Sequence, residues 1–271
     1  MFESRRRVDA SVVLARRGRQ TLVLAVAMTC VGCGATGGAA QRHGLPAARD
    51  AGARSGGDPL VRERLVIARS VLGRPITAVE LGDPDELRVG LVVGAIHGDE
   101  TAGRAITRPL ESGPPPRSAL LWVIDDLNPD GAARHTRQNA HGVDLNRNFP
   151  WRWRPLGRPG DQQYSGPRPL SEPESRAAHR LILNVRPRVT IWFHQPLGVT
   201  DQSGGAARIE RRFAALSGLP LRRLPRYPGS AASWQNHRLP TTTAFVVELP
   251  RGRLSAAAAA RDARAVRRVA T

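Results

Sequence analysis

The run LRVGLVVGAI (residues 87–96) constrains the fold more than any other part of the chain, because from Val89 to Ile96 it carries no polar side chain. A strand with one wet face alternates apolar and polar residues; this one does not, so both of its faces must be covered. The runs ALLWVIDDL (119–127), VTIWF (189–193) and TTAFVVEL (242–249) read as further strands, and RLVIARSVLG with PITAVELG as an early strand pair. Between them lie helical patterns. ETAGRAITRPL (100–110) is one, SEPESRAAHRLILNV (171–185) a second that Ser171 would cap, and AARIERRFAALSG (206–218) a third closed by Gly218. An Ala-rich helix follows Ser255. Strands alternating with helices define an α/β fold, a mostly parallel mixed sheet with helices on both faces.

At 271 residues and 41% hydrophobic content, the chain can bury one good-sized core in a single domain. Its formal charge of +18 raises the question of nucleic acid. The arginines are scattered through every element and aromatics make up only 4%, so the stacking platforms of a single-strand binder are missing. All 41 basic residues are arginine, which reads as the coding bias of a GC-rich genome. The charge suits an anionic envelope surface better than nucleic acid, which is not expected as a partner.

Residues 1–33 read as an export leader: Arg5 to Arg7, Arg16, Arg17 and Arg19 precede the apolar run TLVLAVAMTCVG, which is too short for a stable membrane helix. The two cysteines, Cys30 and Cys33, have the spacing of a metal or redox pair, but they sit within or just after that run. CVGC instead resembles a degenerate lipobox, with Cys30 where such boxes carry Leu. Cleavage before Cys33 would give a lipid-anchored protein, and cleavage near ATGGAA a freely secreted one. Residues 34–58 are small and polar and read as a flexible tether, with the folded domain over 59–271. A monomer is expected.

Ligands gather beyond the carboxyl ends of strands in sheets of this kind. That is where His97 and Glu100 fall after GLVVGAI and His194 after VTIWF, while Glu248 ends TTAFVVEL. A lone strand-end histidine is usually structural, and His43, His135, His141, His179 and His237 are read so. Four such groups at one end of a sheet are another matter: two imidazoles and a carboxylate form a zinc site with one open position. A second carboxylate beside it can act as a base.

At this point the chain resembles the zinc carboxypeptidase family, in its bacterial murein peptide amidase branch. HGDE (97–100), NPDG (128–131), TRQNAHGVDLNRNFP (136–150), YSGPRPLSEPE (164–174), FHQP (193–196) and AFVVEL (244–249) carry the resemblance, in the family's order. It implies one Zn2+ held by His97, Glu100 and His194, with Asp144 orienting the first histidine. It implies Glu248 as the base that activates water beside the zinc and protonates the leaving amine, with Arg137 stabilising the oxyanion. Asn146 and Arg147 would grip the terminal carboxylate of a peptide substrate, with Tyr227 resembling the mobile tyrosine of the family. The NPDG to DLNRNF segment is short, which implies an open cleft. Asp99 either faces substrate or caps a helix starting at Thr101. Asp201 either meets an amino group on the substrate or serves the turn TDQSGG.

The implied reaction is hydrolysis of a peptide bond next to a free carboxylate, in wall peptides such as γ-D-glutamyl-diaminopimelate. The rival is a zinc-dependent N-acyl amino acid deacylase of the aspartoacylase and succinylglutamate desuccinylase type. NPDG, SEPE and export favour the peptidase.

Overall fold

The computed structural model describes residues 60–271; the leader, Cys33 and all of the tether lie outside them. Two antiparallel strands come first, β1 (Val61–Arg69) and β2 (Pro75–Gly82), followed by β3 (Val89–Val93), α1 (Arg104–Ser112), β4 (Leu120–Ile124) and α2 (Pro129–Arg134). After a single 3-10 turn at Leu145–Arg147 come α3 (Pro173–Val185), β5 (Val189–His194), β6 (Leu197–Asp201), α4 (Ala207–Ser217) and β7 (Leu221–Arg222). The chain then forms α5 (Ala231–Arg238), β8 (Thr243–Pro250) and α6 (Ala256–Ala270).

The strands form one mixed sheet in the order β1-β2-β4-β3-β5-β8-β6-β7. Its centre, β4-β3-β5-β8, is parallel throughout, with antiparallel pairs flanking it on either side. The absence of polar residues in β3 has the expected cause: Leu91 and Val93 enter the core on one face, Val92 the core on the other. Helices α3 and α5 cover the first face, α1, α4 and α6 the second. Each large apolar side chain sealed between sheet and helix stabilises the fold by roughly 2 kcal/mol.

The connections place the site. From β3 the chain crosses through α1 to β4 on one side; from β4 it returns through α3 to β5 on the other side of β3. Right-handed crossovers in opposite directions put their helices on opposite faces. They also open a crevice at the carboxyl ends of β3 and β5, the switch point where such sheets bind ligands.

Two helix starts differ from the sequence pattern. Helix α1 begins at Arg104 after Gly103, with no side-chain cap, because residues 97–103 turn to aim Glu100 back at His97. Asp99 therefore caps nothing and lies exposed. Ser171 does not cap α3, whose N-cap is Glu172; its hydroxyl is instead committed to Glu172 Oε1 (2.6 Å) and Asn148 Nδ2 (2.9 Å). Gly218 and Ser255 do end α4 and cap α6 as their residue types require.

Candidate metal centre and active cleft

Beyond β3, Gly94–Ile96 carry the chain past the parallel strands to His97, which is fully buried. Gly98 follows because the turn lies against α2: a Cβ there would sit 2.0 Å from the Gly131 carbonyl carbon. His194 is the last residue of β5, and its register partner on β8 is Glu248. Three parallel neighbours thus deliver His97, His194 and Glu248 to one point.

His97 Nδ1 and His194 Nδ1 each lie 3.0 Å from Glu100 Oε2, and the ligand atoms of the three buried residues all fall within 4.8 Å of one another. The other face of His97 is fixed: Nε2 lies 3.0 Å from Asp144 Oδ1, and an ionised carboxylate only accepts, so Nε2 carries the proton. Nδ1 is then a lone pair facing a carboxylate oxygen, and it is buried without a hydrogen bond despite the short distance. Two acceptors face each other at that distance only with positive charge between them. The electrostatics agree. Burial alone would lower the affinity of His97 for a proton, but Glu100 and Asp144 raise it. Burial alone would raise the Glu100 carboxyl, yet His97 and His194 hold it far below the usual carboxylate range. The set His97, Glu100 and His194 fits a zinc ion with one position open.

Asp144 is the hub behind it. It is fully buried at the start of the 3-10 turn, where Oδ1 also accepts from the Asn146 amide (2.9 Å) and Oδ2 from Arg137 Nε (3.1 Å). Against its burial, His97 and Arg137 hold it ionised well below the ordinary value. Arg137 Nη1 reaches Glu100 Oε1 (2.6 Å), so in this structure Arg137 is tied to the metal-facing carboxylate as well as lining the cleft.

The cleft itself has a volume of about 180 Å³ and is lined by Glu100, Arg137, Arg147, His194, Tyr227 and Glu248, with Asn146 at its side. Glu248 is half-buried and its Oε2 has no hydrogen-bond partner; burial pushes its carboxyl up, against the pull of His194. Arg147 is 5% exposed, its Nε has no partner, and its guanidinium lies 4.3 Å from the centre of the Tyr227 ring. Asn146 Oδ1 accepts from the Ala231 amide at the start of α5, so the turn carrying Arg147 and the segment carrying Tyr227 are locked together. Gly229 completes that lock: at φ +73° its backbone packs where a Cβ would come 1.9 Å from Arg147 O. The sequence-derived site residues are therefore brought to one cleft, with His97 and Asp144 directly behind it.

The motif residues with no chemical role hold this arrangement. Asn128 caps α2 through the Gly131 amide (2.9 Å) and donates to Arg137 O (3.2 Å), while Asp130 takes the Leu72 amide (2.9 Å) and Arg74 (2.7 Å). Asn139 Nδ2 donates to both Glu172 (2.8 Å) and Glu174 (3.0 Å), which pins the Arg137 loop to the start of α3. Gln195, which the sequence reading passed over, braces three segments: Oε1 accepts from Ala102, and Nε2 donates to Pro250 O and Gly252 O. Asp201 is buried at the end of β6, bonded to Ser203, Leu224 and Arg226.

Fold and site together define a metallo-hydrolase. The family model for zinc carboxypeptidases matches residues 117–196. Murein peptide amidase A of Escherichia coli K12 is 33% identical over 180 residues, covering 61% of this chain and 73% of that protein. Its counterpart in Vibrio campbellii is 34% identical over 199 residues, covering 67% and 77%. The crystal structure of the murein-tripeptide amidase from Escherichia coli O157 superimposes with a TM-score of 0.61 at 26% identity, covering 82% of this chain and 98% of that one. Carboxypeptidase A of Helicoverpa armigera shares the fold at 18% identity and a TM-score of 0.66, covering 76% and 67%. The chain belongs to the zinc carboxypeptidase family.

Proposed function

We propose that the protein is an exported zinc peptidase that cuts the bond preceding a residue with a free terminal carboxylate in murein peptides, such as γ-D-glutamyl-diaminopimelate. One observation supports the carboxylate specificity above all: Arg147 is buried in the cleft with Nε unpaired. Nη1 is held by Asn146 O (2.9 Å), so the guanidinium is fixed while a buried donor stays unspent, which is costly, and a carboxylate matches its fork bidentately. The amidases of Escherichia coli and Vibrio campbellii, by their names, support murein as the source of the peptide.

His97 Nδ1, His194 Nδ1 and Glu100 Oε2 would hold the zinc. When bound, the ion supplies Lewis acidity and brings the pKa of water toward about 7. Glu248 takes a proton from the attacking water at its carboxylate and hands it to the leaving amine nitrogen. Its half-buried setting keeps its pKa nearer the working range than that of a solvated carboxylate. Arg137, whose Nε and Nη1 are spent on Asp144, Gln162 O and Glu100, offers Nη2 toward the oxyanion. Arg147 and Asn146 orient the substrate carboxylate, and Tyr227 closes over them. The basic leader and the small, polar tether support export, with anchoring through lipidated Cys33 or free secretion as a monomer.

The test is incubation with L-Ala-γ-D-Glu-diaminopimelate beside C-terminal dipeptides and N-acyl amino acids. Release of diaminopimelate is the expected result. Release of acyl groups from N-acyl amino acids would make the protein a deacylase instead.

A further inference from the structure

The cleft continues past Arg147 and Tyr227 into a recess with apolar walls at Leu224 and Val246 and two opposite charges, Asp201 and Arg226, within it. These charges take no part in the chemistry above. Asp201 Oδ2 lies 2.9 Å from Arg226 Nη1 and 2.6 Å from Ser203 Oγ, and Asp201 Oδ1 accepts from the Leu224 amide (2.9 Å). Arg226 also donates from Nη1 to Leu224 O (2.9 Å) and from Nη2 to Gln202 O. Three of its five donors are thereby committed, and the guanidinium is fixed in one orientation. Among the described residues, no contact uses Nε or the second Nη2 proton. Asp201 keeps acceptor capacity on Oδ1.

A held pair of this kind is neutral as a whole, so it gives a simple anion or a simple cation little. A group that carries both charges gains from each. We propose that Arg226 is the specificity-determining residue for the leaving amino acid: it binds a carboxylate at the far end of that residue's side chain, while Asp201 orients Arg226 and meets the ammonium beside that carboxylate. Leu224 and Val246 cover the methylenes between the two ends. The proposal rests on the peptidase reading and adds the residues that select the leaving group. Arg147 reads the terminal carboxylate; Arg226 reads a second one.

The experiment compares two substrates that differ in one group, L-Ala-γ-D-Glu-meso-diaminopimelate and L-Ala-γ-D-Glu-L-Lys, with the full-length protein and its Arg226→Gln, Arg226→Lys and Asp201→Asn variants. The parent should prefer the diaminopimelate peptide by at least about tenfold in kcat/KM, since a site built for a polar group rejects the analogue that lacks it. Arg226→Gln should lose about 30-fold on that peptide, mostly in KM, with turnover of the lysine peptide within about threefold of the parent. Arg226→Lys should recover only part, because an ammonium lacks the fork. Asp201→Asn should erode the same preference. Equal losses on both peptides would reduce Arg226 to a loop brace, and an unchanged preference would remove it from recognition. A parent that cuts neither peptide would overturn the peptidase reading itself; a parent that cuts both, with variants that keep its preference, would overturn only the recess.

Discussion

His97 presents Nδ1 to Glu100 because Asp144 holds Nε2, and that single hydrogen bond decides both tautomer and ring orientation. Asp144→Asn keeps the shape but removes the charge and the certainty of the acceptor. Zinc affinity should fall about 10- to 100-fold, measured by competition with a chromogenic chelator. Glu248 is separable from this. It touches no ligand in the hydrogen-bond pattern, so Glu248→Gln should retain one zinc per chain while turnover falls by about 10² to 10⁴. Turnover near the parent value with zinc in place would remove Glu248 from proton transfer. Arg147→Met tests the other end of the cleft: kcat/KM for a peptide with a free carboxylate should fall about 100-fold, and that for its amide far less. Equal losses on acid and amide would mean that Arg147 only supports the Tyr227 segment.

At the scale of elements, the site depends on loops that the sheet alone would leave free. Asn139 is 4% exposed and joins the Arg137 loop to two glutamates at the start of α3. Asn139→Ala should cost about 1 to 3 kcal/mol, because two buried carboxylates each lose one of their donors. It should also lower kcat with zinc still bound, read by metal analysis beside single-turnover rates. The legibility of the sequence follows the same division. The central strands were legible because β3, β5 and β8 are apolar enough to require burial on both faces, and their polar ends then stood out as His97, His194 and Glu248. Helix α5 was not, since its eight residues have no clear apolar stripe; Ala231 to Gln235 are all buried and the sequence there is mixed. Strand β6 was hidden by Gly198 and by its exposed first residue Leu197. Arg226 could not be told from the other arginines in a chain with 41 of them, because its distinction is the company of Asp201, a contact that no local pattern encodes.

The whole molecule registers one further conflict, on α6. Asp262, within α6, is 1% exposed, and Arg261, 3.5 Å away, is its only ion-pair partner among the described residues. Burial pushes its carboxyl up to about 6, and Arg261 recovers only part of the penalty. An unfolded Asp titrates near 3.9. Between about pH 4 and pH 6, then, the folded state keeps a proton that the unfolded state gives up, so stability falls as pH rises through that window. Above it the full loss, on the order of 2 to 3 kcal/mol, persists. Glu100 and Asp144 push the other way, since their depressed values add stability that is lost as pH falls. A single pH profile would mix these effects; the difference between parent and Asp262→Asn does not, because the metal-site carboxylates are common to both. The variant should melt higher by about 5 °C at pH 7.5, and the gap should close as pH approaches 4. A gap that stays constant from pH 4 to pH 8 would assign the gain to packing and clear the Asp262 charge of any cost to the fold.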